Sequence, residues 1–214
     1  MLSELTKNII NLSASVTEIR LNALLKGRLG LTELKYNKFK VCIVGDGGVG
    51  KTTLVNRYLT GVFRGDYKLT IGADFYVKKI EIDDQRITLQ IWDFAGEDRY
   101  RFLLPAYVQG SSGAIFMYDI TRYSSFNNFE EWMSVFKESF HRKEIDVPII
   151  MVGGKLDLEH NRAVSVEDAR EVAEQHNFND YIECSSKTGG NVEHIFEKIS
   201  RLMMEQAEVQ ESEA

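Results

Sequence analysis

Gly45-Asp46-Gly47-Gly48-Val49-Gly50-Lys51-Thr52-Thr53 stands between an apolar run, Lys40-Val41-Cys42-Ile43-Val44, and Leu54-Val55-Asn56-Arg57-Tyr58-Leu59, which reads as a helix. The order is strand, glycine-rich loop, helix. The spacing Gly45-x4-Gly50-Lys51-Thr52 is that of a phosphate-binding loop. Glycines let successive backbone N–H groups turn inward around an anion without Cβ clashes. The helix beginning at Lys51 aims the positive end of its dipole at the same point. Lys51 adds a full charge for terminal phosphates, and the Thr52 hydroxyl suits Mg2+.

Outward from this loop, the flanking segments alternate between strand and helix. Residues 73–83 and 85–92 alternate as strands around an Asp83-Asp84 hairpin signal. Ala114-Ile115-Phe116-Met117-Tyr118, Val147-Pro148-Ile149-Ile150-Met151-Val152 and Tyr181-Ile182-Glu183-Cys184 read as buried strands. Helices are expected over 99–109 with Pro105 interrupting, over 125–140, from Ser165 to about Gln175, and over 191–206. The aromatic stripe Phe126, Phe129, Trp132, Met133, Phe136, Phe140 reads as core packing. Strands alternating with helices predict an α/β fold, a mostly parallel sheet covered on both faces.

Charge is uneven. The chain of 214 residues carries a net −6, with 26 Lys and Arg against 32 Asp and Glu. Residues 1–40 hold an excess of Lys and Arg, and the remainder is acidic. An acidic body argues against general nucleic-acid binding. Cys42 and Cys184 fall in apolar runs and read as free, buried thiols of a reducing compartment. The four histidines show no metal-ligand spacing. No apolar stretch approaches the ~20 residues of a membrane span, and no signal peptide is read. A cytoplasmic location is expected.

Residues 1–37 read as an N-terminal amphipathic helix and linker. Leu2, Leu5, Ile9, Leu12, Val16, Ile19 and Ala23 form a heptad seam that must lie against the domain, a second copy, a partner or a bilayer. Residues 38–205 form the main domain. Residues 206–214 belong to an acidic stretch expected to be a disordered tail.

With the glycine loop, Thr70, Asp93-Phe94-Ala95-Gly96, Lys155-Leu156-Asp157 and Ser185-Ser186-Lys187 in order, the chain resembles a small GTPase of the Ras superfamily. The Rab branch is the most similar, on Thr70-Ile71-Gly72-Ala73-Asp74-Phe75, Leu89-Gln90-Ile91-Trp92-Asp93, Tyr118-Asp119-Ile120-Thr121 and Ser125-Phe126-Asn127-Asn128. The resemblance implies a P-loop NTPase fold of the Ras-like G-domain type, with a six-stranded sheet. It also implies GTP and GDP as ligands, Mg2+ as cofactor, and effector, exchange and GTPase-activating proteins as partners. Nucleotide contacts are implied for Gly47, Gly48, Val49, Gly50, Lys51, Thr52, Thr53, Phe63, Thr70, Gly96, Lys155, Asp157, Leu158, Ser185, Ser186 and Lys187. Thr52, Thr70 and, through water, Asp93 are implied at the metal. Glu97, Lys51, Thr70 and Gly96 are implied in turnover. Asp157 would accept from the guanine N1–H and N2–H2, donors that adenine lacks. Phe75, Trp92 and Tyr107 match positions that Rab proteins present to effectors. No arginine of the chain is assigned as a transition-state finger, so one supplied in trans is expected.

The chain departs from the family at Glu97, where a Gln that orients water is usual. A carboxylate can accept a proton from water but repels the γ-phosphate, and slow turnover is expected. It departs again at Gly154, where the family places Asn; each lost bond is worth ~0.5–1.5 kcal/mol, so weaker nucleotide binding is expected. No cysteine stands at the C-terminus and Leu is residue 2, so no lipid anchor is expected. Membrane contact then falls to the N-terminal helix or a partner. An alternative remains open: a guanine-nucleotide-binding scaffold with little or no turnover. A weaker one is another phosphate-loop enzyme, an ATPase or nucleotide kinase.

Overall fold

The computed structural model describes residues 36–65, 69–138 and 147–213. The heptad segment 2–23, most of the linker, part of the loop after residue 65, and Phe140 lie outside the described residues.

Six strands make one sheet: β1 (Tyr36–Val44), β2 (Ala73–Ile82), β3 (Gln85–Phe94), β4 (Gly113–Asp119), β5 (Ile149–Gly154) and β6 (Asp180–Glu183). Their spatial order is β2-β3-β1-β4-β5-β6. Among the described residues only β2 with β3 is antiparallel; β1 runs parallel to β3 and β4, and β4-β5-β6 continue in parallel. The β2–β3 hairpin turns at Asp83 and Asp84, which take φ of 49° and 62°. Two consecutive positive φ values are what a right-twisted two-residue hairpin demands, and Asp tolerates them better than most residues.

The helices are α1 (Lys51–Thr60), α2 (Leu104–Val108), α3 (Tyr123–Asn127), α4 (Phe129–Glu138), α5 (Val166–Gln175) and α6 (Val192–Glu213), with short 3-10 turns at Asp98–Leu103 and Leu156–Asn161. Pro105 sits in the first turn of α2, where its missing N–H costs nothing. Ser165 caps α5, its hydroxyl accepting from the Asp168 N–H.

Alternation along β1 explains the two layers. Val41 and Ile43 face one side, where Leu54, Val55 and Tyr58 of α1 pack with Ile195, Phe196 and Ile199 of α6. Cys42 and Val44 face the other, with Phe126, Phe129, Trp132 and Phe136 of α3 and α4 and Ala169 and Ala173 of α5. Every residue of β4 is buried, as a central strand covered on both faces must be. The expected aromatic stripe is core over its described part. Both cysteines are free and buried, and burial pushes the Cys42 thiol up to about 11.

Two boundaries differ from the sequence reading. β1 begins at Tyr36, inside the stretch read as linker, because its first residues pair with β3 from Tyr36↔Arg86 onward. The last helix runs to Glu213, so the acidic stretch expected to be a disordered tail is helical. Glu, Gln and Ala are strong helix formers, and Met203 and Met204 anchor the preceding turn in the core. Charge composition alone hid that propensity.

Candidate functional site

The C-terminal ends of the parallel strands converge on one edge of the sheet. β1 runs into Gly45, β3 ends with Asp93 and Phe94, β4 ends at Asp119, β5 at Gly154, and β6 leads to Ser185. Neighbours of β1 diverge in chain order at this edge, the position where open α/β sheets leave a crevice.

Two adjoining cavities occupy it. One, of about 640 Å³, is lined by Gly47, Gly48, Gly50, Lys51, Thr52, Thr53, Thr70, Gly96 and Glu97, together with Asn56, Arg64, Leu69, Ile71, Asp74 and Tyr76. The other, of about 310 Å³, is lined by Val49, Gly50, Thr53, Phe63, Gly65, Met117, Lys155, Asp157, Leu158, Ser186 and Lys187. Gly50 and Thr53 belong to both. All the nucleotide positions implied by the resemblance line one cavity or the other except Ser185. That residue is buried behind Asp157, its hydroxyl donating to the Asp157 carboxylate at 2.6 Å.

At the first cavity the glycine loop is held by backbone contact. Gly45 has φ 135°, and a Cβ there would lie 2.0 Å from the Met117 carbonyl oxygen. The Gly47 N–H donates to the Gly96 carbonyl at 2.8 Å. A Cβ on Gly96 would lie 2.2 Å from the Asp46 carbonyl carbon, so the loop after β3 touches the phosphate loop directly. α1 starts at Lys51 with no side-chain cap on Gly50, which leaves its first N–H groups for an anion. Lys51 is buried, and its Nζ donates to the Gly45 and Asp46 carbonyls at 2.7 and 2.9 Å. Burial lowers its pKa to about 8, against the supporting charges of Asp93 and Asp46.

Three oxygens meet beside it. The Thr52 hydroxyl donates to Asp93 Oδ2 at 2.5 Å and lies 2.9 Å from the Thr70 hydroxyl. Asp93 is fully buried and its Oδ1 has no hydrogen-bond partner. Burial raises its carboxyl to about 6, although Thr52 and Lys51 favour the charged form. A buried carboxylate with a free oxygen beside two hydroxyls fits a hard divalent cation that keeps water and phosphate ligands. Among the described residues no cluster of three or more His, Cys, Asp or Glu could cage a metal by itself.

Glu97 lies over the glycine loop; its Oε2 pairs with Arg99 Nε at 2.7 Å, while Oε1 is buried without a partner. Arg122 was not singled out in the sequence, yet its Nη2 donates to the Gly47 carbonyl at 2.7 Å. The Asp46 carboxylate accepts from Asn128 Nδ2 at 2.9 Å and from Trp132 Nε1 at 2.8 Å. Trp132 is therefore a core residue and a brace of the loop at once. Only the position of Asp46 inside the glycine motif hints at this pairing; its partners come from distant helices.

At the second cavity side chains do the bracing. Lys155 takes φ 67° and its Nζ pairs with Asp119 Oδ2 at 2.6 Å. Burial opposes ionisation of Asp119, but bonds from Lys155 and Thr121 outweigh it and hold the carboxyl below the ordinary carboxylate range. Outside the cavity lining, at the end of β6, Arg162 makes a bidentate pair with Glu183 at 2.5 and 2.8 Å, and the Tyr181 hydroxyl donates to the same carboxylate at 2.5 Å.

Phe75, Trp92 and Tyr107 form one aromatic row, with centroids 5.2 and 5.5 Å apart. Only Phe75 is exposed. Trp92 is half-buried under the Lys40 ammonium, and Tyr107 packs on Phe94. Of the three positions expected to be presented to effectors, Trp92 and Tyr107 are thus only partly accessible.

Comparison with known proteins gives the family. The Ras family model matches residues 40–205. The chain is 42% identical over 161 residues to Ras-related protein RABA1f of Arabidopsis thaliana, covering 75% of this chain and 72% of that protein. Ras-related protein Rab11B of Nicotiana tabacum is likewise 42% identical, with 75% and 72% covered. GTP-binding protein ypt3 of Schizosaccharomyces pombe is 41% identical, with 75% and 73% covered. The chain belongs to the Ras family of small GTPases, on its Rab branch.

Proposed function

We propose that this protein holds GTP or GDP with Mg2+ across the two cavities, hydrolyses GTP slowly, and acts as a molecular switch in membrane trafficking. The observation that carries the reading is the continuity of the cleft, with Gly50 and Thr53 lining both halves. A polyanion at the glycine loop would meet the α1 N-terminus and the Lys51 ammonium, and its charge would favour the protonated amine that burial opposes. Asp157, oriented by Ser185, would accept from the guanine N1–H and N2–H2; adenine would leave that carboxylate unpaired.

Thr52, Thr70 and Asp93 would hold the Mg2+, and the unpartnered Asp93 Oδ1 supports that assignment. The ion, when bound, neutralises charge on the phosphates. Thr70 and Gly96 line the phosphate cavity, and the segments that carry them would reorganise when the γ-phosphate leaves. Glu97 supports slow turnover: its carboxylate lies beside the glycine loop with one oxygen unpaired, and the Arg99 pair is partly exposed and weak. The same observation favours a second reading, a guanine-nucleotide scaffold with almost no turnover. The aromatic row of Phe75, Trp92 and Tyr107 would serve as the effector face. Exchange and activating proteins would act on the same loops, and membrane contact would come through the N-terminal segment or a partner.

Extraction of nucleotide from the purified protein tests the core of this reading. GDP or GTP is expected, and adenine nucleotides alone would overturn it. Single-turnover phosphate release then separates slow enzyme from scaffold: measurable release within hours supports hydrolysis, and none with GTP still bound supports the scaffold.

A further inference from the structure

Gly154 closes β5 at the threshold of the base pocket, and the space above its Cα is not empty. A Cβ placed there would lie 2.5 Å from the Met117 methyl carbon Cε, 3.2 Å from the Val49 carbonyl oxygen and 3.3 Å from the Tyr118 carbonyl oxygen. The same methyl carbon lies 3.5 Å from a Cβ placed on Gly50. Met117 is 1% exposed, yet it lines the pocket that holds Lys155 and Asp157. One unbranched thioether arm, sent from β4, thus fills the gap between the phosphate loop and the end of β5. Methionine suits such an irregular gap because it is flexible and polarizable.

We propose that Met117 and Gly154 are a single specificity-determining unit: the Met117 thioether, not a side chain on residue 154, forms the floor under the nucleotide base. The inference rests on the guanine-nucleotide reading above. Because neither residue offers a donor or acceptor side chain beyond the weak thioether, the base is gripped from below by packing, and polar recognition falls to Asp157 and the loop after β6. The unit also joins the two halves of the cleft, since the methyl carbon touches the space of both Gly50 and Gly154. A side chain introduced at residue 154 alone must push the methyl into the pocket. A smaller residue at 117 alone leaves a hole beneath the base. The two changes together repair each other.

Release of a fluorescent GDP analogue from the full chain tests this in a double-mutant cycle. Gly154→Asn and Met117→Val are each expected to speed release by about tenfold, and the pair to return within about threefold of the unaltered protein rather than reaching the product of the singles. Multiplicative effects would overturn the inference, as would Gly154→Asn slowing release while Met117 is intact. Met117→Leu keeps the volume but withdraws the terminal methyl; a second cycle with it keeps the inference testable where valine unfolds the domain, and the same near-restoration is expected there. GDP binding by the unaltered protein is measured first. Its absence refutes the guanine-nucleotide reading, whereas binding with multiplicative effects refutes the Met117–Gly154 unit alone.

Discussion

At the phosphate end of the cleft the tightest contacts of the glycine loop are backbone on backbone. Gly45 lies against the Met117 carbonyl, Gly96 against Asp46, and Gly47 is bonded to Gly96, all without side chains at the points of contact. At the base end the close contacts are made by side chains: Lys155 on Asp119, Ser185 on Asp157, and the Met117 methyl over Gly154. Backbone contacts at this range leave no room for any Cβ, whereas side-chain contacts can be exchanged in pairs. The phosphate end is therefore fixed by geometry, and the base end is open to repacking. This explains how the chain keeps a complete glycine loop while residue 154 differs from the family's usual Asn.

The comparison breaks most visibly at Gly45. Gly45→Ala is expected to cost about 3–5 kcal/mol of stability, since both its positive φ and the carbonyl contact forbid a Cβ. Thermal melting checks this; a shift of only a degree or two would show that the loop yields. Next in size is Asp157→Asn, expected to weaken GDP binding by at least about a hundredfold and to transfer preference to xanthosine diphosphate, read by competition binding. Unchanged preference would remove Asp157 from base recognition.

Glu183→Gln is expected to cost about 2 kcal/mol at pH 7, by analogy with other hydrogen bonds to charged groups. Burial opposes the Glu183 charge, but Arg162 and Tyr181 outweigh it and hold the carboxyl below its ordinary value of 4.5. A carboxyl whose folded pKa is depressed stabilises the fold fully above its unfolded pKa, and that stabilisation is lost as pH falls through the folded value. Urea melts of the variant and the unaltered protein should therefore differ at neutral pH, begin to converge as pH falls past the ordinary value, and meet only below the depressed folded value. A difference that persists in acid would mean that the loss is packing and not charge. The smallest effect expected is at Glu97: Glu97→Gln should speed phosphate release by about tenfold, because it removes a charge that repels the γ-phosphate, while leaving GDP affinity unchanged, because GDP has no γ-phosphate. Equal rates would free Glu97 from blame for slow turnover.

The phosphate end was legible in the sequence because its chemistry is written in consecutive residues. Gly45 to Thr53 specifies strand, turn and helix by itself, and Asp93-Phe94-Ala95-Gly96 continues a strand whose periodicity was plain. The base end was legible only at Lys155, Asp157 and Ser185 to Lys187. Met117 read simply as one apolar residue of a buried strand, because nothing in a linear pattern says where a methyl carbon will rest. Arg122 on the Gly47 carbonyl and Trp132 on Asp46 were hidden for the same reason: each bond spans 75 or more positions of sequence. The helical end of α6 was missed differently, since a charge count outweighed the helix propensity of Glu, Gln and Ala.

The bond from the Trp132 indole N–H to the Asp46 carboxylate has a practical consequence. The chain has two tryptophans, and the other, Trp92, immediately precedes Asp93. The Trp92 indole packs instead among Phe75, Tyr107 and the Lys40 ammonium, because successive strand residues face opposite sides of the sheet, so Trp132 is the indole that reports on the loop. Intrinsic fluorescence of the unlabelled protein should respond to what occupies the glycine loop and stay nearly silent to changes at the base, so the molecule carries its own optical gauge for one half of its cleft.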